Sequence, residues 1–135
     1  MLKLIIGVKG TGKTKTLINM VNTASESSQG NVVCMEKGVK LRYDIKYKAR
    51  LINTEEYLIS DTQTLYGFVA GILASDHDVT DLFIDSALKI CNNDVDAFDM
   101  FVNKVAKLAE KVNVNITITS SIPVEEASET VKKYL

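Results

Sequence analysis

The sequence predicts an α/β domain built on a mostly parallel central sheet of four or five strands. Three observations lead there. Short apolar runs alternate with longer stretches whose apolar residues recur at three- and four-residue spacing. A glycine-rich turn, GVKGTGKT, joins the first apolar run directly to the first helical stretch. The 135 residues, 46 % hydrophobic and 24 % charged, suit one domain with enough apolar content for a core. Strands that alternate with helices are covered on both faces, which is the habit of parallel sheets.

Each element has its own signal. Leu2 to Ile6 is a short apolar run, the pattern of a buried strand. KTKTLINMVNTASES, residues 13–27, reads as a helix, with Leu17, Val21 and Ala24 on one face and Ile18 beside them. QGN at 29–31 breaks it, and NVVCMEK reads as a second strand ending in charge. Segment 37–54 changes character. Lys37, Lys40, Arg42, Lys46, Lys48 and Arg50 stand against Asp44 alone in its first part, and polar and apolar residues alternate in places. That pattern predicts a basic, half-exposed hairpin insertion. Glu55 to Ser60 reads as a short helical turn. From Thr64, the residues Leu65, Phe68, Val69, Ile72 and Leu73 mark an amphipathic helix. SDHDVTD is an acidic connector, and LFID is a third strand. The longest helix covers about 94–112, with Val95, Phe98, Val102, Val105, Ala109 and Val112 on one face. VNITIT is a fourth strand. Residues 124–133 read as a final helix with Pro123 at its first position.

Charge and cysteine usage exclude several classes. The formal net charge is −1, so the whole molecule has no field to gather DNA or acidic membrane. Six basic residues in 37–50, with Tyr43 and Tyr47 to stack bases, would be the one place for single-stranded nucleic acid; the neutral whole favours a solvated basic hairpin instead. Cys34 and Cys91 have no metal-type spacing and read as reduced structural thiols. His77 sits among Asp76, Asp78 and Asp81 without a defined ligand spacing, so a solvated connector is expected. No apolar run approaches membrane-spanning length, and MLKLII is too short for a signal peptide. A cytoplasmic protein is the expectation.

The chemistry concentrates in residues 7–14. Gly7, Gly12, Lys13 and Thr14 meet the pattern Gly-x-x-x-x-Gly-Lys-Ser/Thr without a mismatch. In a random chain of this length that match arises with a probability of about half a per cent, so context must decide. Here a strand delivers the chain, the loop turns, and a helix begins at Lys13. Glycines let backbone N–H groups surround phosphate oxygens, and the helix N-terminus adds partial positive charge. In this pattern the lysine reaches the β and γ phosphates, and the hydroxyl of the last residue meets Mg²⁺.

On these residues the chain resembles the P-loop NTPases, and its second landmark agrees. LFID is similar to a Walker B strand, with Asp85 as the Mg²⁺ aspartate. GTP-binding switch proteins are a poor match: Asn103-Lys104-Val105-Ala106 lies inside a helix, and Asp85 is followed by Ser86, Ala87 and Leu88. A RecA-like ATPase matches better, through Ile84-Asp85-Ser86. The nearest likeness is to short single-domain ATP-binding proteins of Gram-positive bacteria, some of them labelled as twitching-motility ATPases. The resemblance covers residues 1 to about 122, and with one domain expected over 1–135 it implies a three-layer P-loop fold that takes ATP and Mg²⁺. It implies a phosphate cradle of Gly7, Val8, Lys9, Gly10, Thr11, Gly12, Lys13, Thr14 and Lys15, with Thr14 and Asp85 toward the metal. It makes Glu36, at the end of the second strand, the general base. Ser120 and Ser121 become γ-phosphate sensors. A neighbouring copy would supply a cation, and the only arginines are Arg42 and Arg50.

Three functions follow as expectations. The first is slow ATP hydrolysis, with Lys13 neutralising charge. The second is a nucleotide-dependent switch that acts on an unknown protein partner. The third, a kinase similar to thymidine kinases, fits least, because two cysteines cannot build their four-cysteine zinc lasso.

Overall fold

The computed structural model describes residues 1–135. Its centre is a five-stranded sheet, parallel throughout, in the order β1-β5-β4-β2-β3. The strands are β1 (Leu2–Ile6), β2 (Asn31–Glu36), β3 (Ala49–Asn53), β4 (Val79–Ile84) and β5 (Asn115–Ser120). The helices are α1 (Lys13–Ser27), α2 (Thr62–Ser75), α3 (Ala87–Ile90), α4 (Val95–Val112) and α5 (Glu129–Lys132). No helix is long and apolar enough to cross a membrane.

The two faces of the sheet are covered unequally, and alternation along each strand decides which residue goes where. On one face, Val33 and Met35 of β2 join Leu82 and Ile84 of β4 and Ile116 and Ile118 of β5 in a cluster of 28 buried residues with α2, α3, α4 and α5. On the other face, Val32, Cys34 and Phe83 meet Leu17 and Val21 of α1 in a cluster of eight. The steps from β1 to β2 and from β2 to β3 run over the α1 face. The steps from β3 to β4 and from β4 to β5 return over the other.

Local chemistry sets the helix ends. Asp61 and Thr64 form a reciprocal capping box at the start of α2. Asp94 accepts the Ala97 N–H at the start of α4, and Asn113 ends that helix in the left-handed conformation. α4 buries Phe98, Phe101, Val102, Val105, Ala106 and Ala109, so Phe101 and Ala106 join the face read from the sequence, while Val95 and Val112 at its ends stay exposed.

Four expectations need correction. Segment 37–54 is not a hairpin. Residues 37–48 form turns, and Ala49–Asn53 is the fifth strand, parallel to β2 with Val32 beside Ala49 and Glu36 beside Asn53. A parallel neighbour requires a crossover, and this one is made without a helix: Leu41 and Ile45 pack under α1 in a helix's place. The strand expected over LFID starts earlier, at Val79, taking three residues from the acidic connector, and ends at Ile84 with Asp85 just past it. The helical turn near 55 is a 3-10 turn over Thr54–Tyr57. The last helix is a 3-10 turn, Val124–Glu126, followed by the single turn of α5; Pro123 precedes the former rather than opening an α-helix.

Candidate functional site

The loop between β1 and α1 is shaped by its glycines. Gly7 has φ 152°, and a Cβ there would lie 2.7 Å from Thr11 Oγ1. Gly12 has φ 85° and sits immediately before α1. Side chains rarely adopt that backbone. No side chain caps this end of α1, so its first N–H groups face outward with the helix's partial positive charge. Thr11 Oγ1 donates to Val8 O at 2.8 Å, and Lys13 Nζ donates to the same carbonyl at 2.9 Å. The lysine thus lies folded over the loop.

The loop opens on a cleft of about 540 Å³ at the carboxyl ends of the strands, where open α/β sheets bind ligands. Lys9 lines it from the loop, and Lys13 and Lys15 from the first turn of α1. Lys37, Lys40 and Lys89 line it from the far wall. None of the six is ion-paired; the chain's two ion pairs are Lys46–Glu26 and Lys132–Glu129. The cleft's carboxylates are Glu36 and Asp85. A surplus of unpaired ammonium groups suits an anion with several charges.

Asp85 follows β4 and is 8 % exposed. Its N–H donates to Met35 O at 2.8 Å, which carries the β2–β4 ladder one step further and fixes the backbone. Thr14 Oγ1 lies 3.2 Å from Oδ1 and 3.4 Å from Oδ2. Ser86 Oγ donates to Oδ2 at 3.3 Å. Thr119 Oγ1 donates to Oδ1 at 2.8 Å and accepts the Ser86 N–H at 2.8 Å. Ser86 holds a left-handed backbone, φ 54° and ψ 49°, which turns the chain from β4 into α3 and is uncommon outside glycine and asparagine. A hydroxyl and a carboxylate side by side are hard oxygen donors. No three His, Cys, Asp or Glu side chains gather as a metal cage. One carboxylate and one hydroxyl fit Mg²⁺, which takes few protein ligands when phosphates supply the rest.

Glu36 ends β2 and is 3 % exposed. Its two carboxylate oxygens accept the N–H groups of Lys40 at 3.1 Å and Leu41 at 2.8 Å. Burial pushes its carboxyl above the ordinary range. Nearby Asp85 adds to that rise, and the two N–H bonds and the Lys40 charge oppose it.

The structure brings Lys13, Thr14, Glu36, Asp85 and Ser121 to one cleft, with Lys9, Gly10, Gly12 and Lys15. Ser120 does not line it. Its hydroxyl is buried and accepts the Leu88 N–H at 3.3 Å. Thr119 is the residue missed from sequence. Strict alternation along NITITS puts 115, 117 and 119 on the face shared with Asp85, and that signal was available. Arg42 and Arg50 line a separate groove of about 370 Å³ beside β3, with Tyr47 and Tyr57. The Arg42 guanidinium lies 5.0 Å from the Tyr43 ring centroid. Asp76, His77 and Asp78 sit just before β4, at the strand end opposite the cleft, and Asp81 lies within β4; Asp76 accepts from Asn31 Nδ2 and from the Asp78 N–H.

No family model matches the chain, and no curated protein matches it.

Proposed function

We propose that this domain binds ATP with Mg²⁺ and hydrolyses it slowly, in the manner of a minimal RecA-like P-loop ATPase. The observation that carries the reading is the meeting of Thr14 with Asp85 across 71 residues of chain, at the mouth of an uncapped helix and a lysine-lined cleft. Sheet order adds support, because β5 separates the glycine-loop strand β1 from the aspartate strand β4. Thr14 and Asp85 would hold Mg²⁺, which when bound would neutralise the negative charge that develops on the phosphates.

The protein's own groups do the rest. The first N–H groups of α1 and the loop backbone hold phosphate oxygens. Lys13 exchanges the Val8 carbonyl for a phosphate oxygen. Thr14 gives its hydrogen to Asp85 and keeps its lone pairs for the metal side. Glu36, with its raised proton affinity, is the general base for the attacking water, and Ser121 is the hydroxyl near the γ end. The choice of ATP over GTP rests on the missing guanine motif.

The test is phosphate release from Mg²⁺–ATP across a range of protein concentrations, with Lys13→Ala as control. Turnover should disappear in Lys13→Ala. The arginines lie outside the cleft, so a role for them requires a second copy. Activity per subunit should then rise with concentration and fall on replacing both Arg42 and Arg50. A rate independent of concentration and of both arginines removes the second copy from the mechanism.

A second reading, the nucleotide-dependent switch, is favoured by Glu36 itself. Its carboxylate ties the Lys40–Leu41 backbone to the cleft floor, so drawing Glu36 toward a water or phosphate would release the 37–48 crossover for a partner to sense. Nucleotide binding without turnover, with changed exchange protection in 37–48, would select it.

A further inference from the structure

We infer that Thr119 is the positioning residue that fixes Asp85 for Mg²⁺, an inference that rests on the nucleotide reading above. A carboxylate at a strand end can turn about two side-chain torsions. Its use beside a metal depends on which oxygen is held and which is free. Here Oδ1 receives the shortest bond, 2.8 Å, and it comes from Thr119. The donor is itself immobile. Thr119 is 1 % exposed and sits on an interior strand between β1 and β4. Threonine's branched side chain has restricted rotation.

The hydrogen has one place to go. Thr119 Oγ1 already accepts the Ser86 N–H at 2.8 Å, and that bond leaves its single hydrogen for Asp85. The Ser86 N–H belongs to the strained turn just after Asp85, so one hydroxyl clamps both the carboxylate and the backbone that carries it. Thr14 approaches both carboxylate oxygens at longer range, 3.2 and 3.4 Å, and Ser86 Oγ reaches Oδ2 at 3.3 Å. Thr14 and Asp85 would be the contacts on the metal side, and Thr119 the support behind them. Such outer partners commonly alter metal affinity about 10- to 100-fold when removed.

The experiment measures binding of a fluorescent ATP analogue as a function of Mg²⁺, with a parallel titration in excess chelator. Thr119→Val keeps the shape and removes the hydroxyl. The expected result is a half-saturating Mg²⁺ concentration raised about tenfold, with metal-free binding of the analogue unchanged. Thr119→Ser should restore the wild-type Mg²⁺ requirement. Thr119→Val also strands the Ser86 N–H, so its melting temperature should fall. A purely structural role would lower the melting temperature and metal-free binding together and leave the Mg²⁺ midpoint in place, and that result overturns the inference. Thr119→Ser behaving like Thr119→Val would equally overturn it, because the methyl would then be the active part. If Thr119→Val does not fold, Thr119→Cys, a similar volume with a weak donor, gives the same comparison. Wild type that ignores both nucleotide and Mg²⁺ overturns the nucleotide reading itself. A wild-type Mg²⁺ effect that the variants share overturns only the role of Thr119.

Discussion

On the nucleotide reading, replacing Asp85 with asparagine should leave the free protein close to its original stability and remove about half of the stabilisation expected from Mg²⁺–ATP. The first half follows from opposed effects at a nearly buried carboxylate. Neutralising it weakens the hydrogen bonds from Thr119, Ser86 and Thr14, each by about 1 kcal/mol, the difference between charged and neutral acceptors. It also removes the effective cost of burying an anion at 8 % exposure, on the order of several kcal/mol, which offsets that loss. The second half can be put in degrees. Ligand at about 100 times its Kd stabilises by about 2.7 kcal/mol. For a domain of this size that is roughly 10 °C in Tm. Weakening the complex about tenfold leaves about 1.4 kcal/mol, so the shift should shrink by roughly 5 °C. The assay is thermal unfolding with ATP held constant, with Mg²⁺ and with chelator. An Asp85→Asn protein that melts with the same Mg²⁺-dependent shift as wild type would refute the reasoning.

Three further predictions concern titratable groups. Burial holds the Glu36 carboxyl above its ordinary range, so the folded state keeps that proton longer than the unfolded chain does. Glu36 therefore favours folding at low pH, and that contribution is lost as pH rises through the raised value. Denaturant unfolding of wild type against Glu36→Gln should show wild type losing ground over that window; a pH-independent difference would contradict the shift. If Glu36 is the base, the acid limb of ATP turnover should lie above the usual carboxylate range. Cys34 and Cys91 are free and buried, with burial, then the neighbouring carboxylates, raising both thiols, Cys91 to about 12. Both should resist a thiol reagent near neutral pH until the protein unfolds; rapid labelling of either in the native state would show that its site opens.

Much of the frame was legible because it is local. The helix from Lys13 to Ser27 and the strand from Asn31 announce themselves by period and by the breaks at the glycine loop and at Gln29-Gly30. The glycine loop and the aspartate of LFID are both read from local sequence, and they line the same cleft. β3 was not legible. Its five residues, ARLIN, sit in a basic segment whose alternation imitates a hairpin, and what makes it a parallel strand is remote pairing with β2. Leu41 and Ile45 look like strand residues in sequence, yet they are the packed underside of a crossover. Ser120 and Thr119 differ by one position, and one position in a strand exchanges faces. The lysines of the far wall converge from the 37–48 turns and from α3, a relation no local pattern contains.

The unequal covering of the sheet gives the cleft an uneven foundation. One layer is held by 28 buried residues and the other by eight. Local openings draw on the layer with least apolar contact, and here that layer consists of α1 and the turns from 37 to 48. The glycine loop is the leading edge of that thinner layer. Any polyanion that grips the start of α1 therefore braces the weaker half of the molecule, so occupancy of the cleft is written into how often that half breathes.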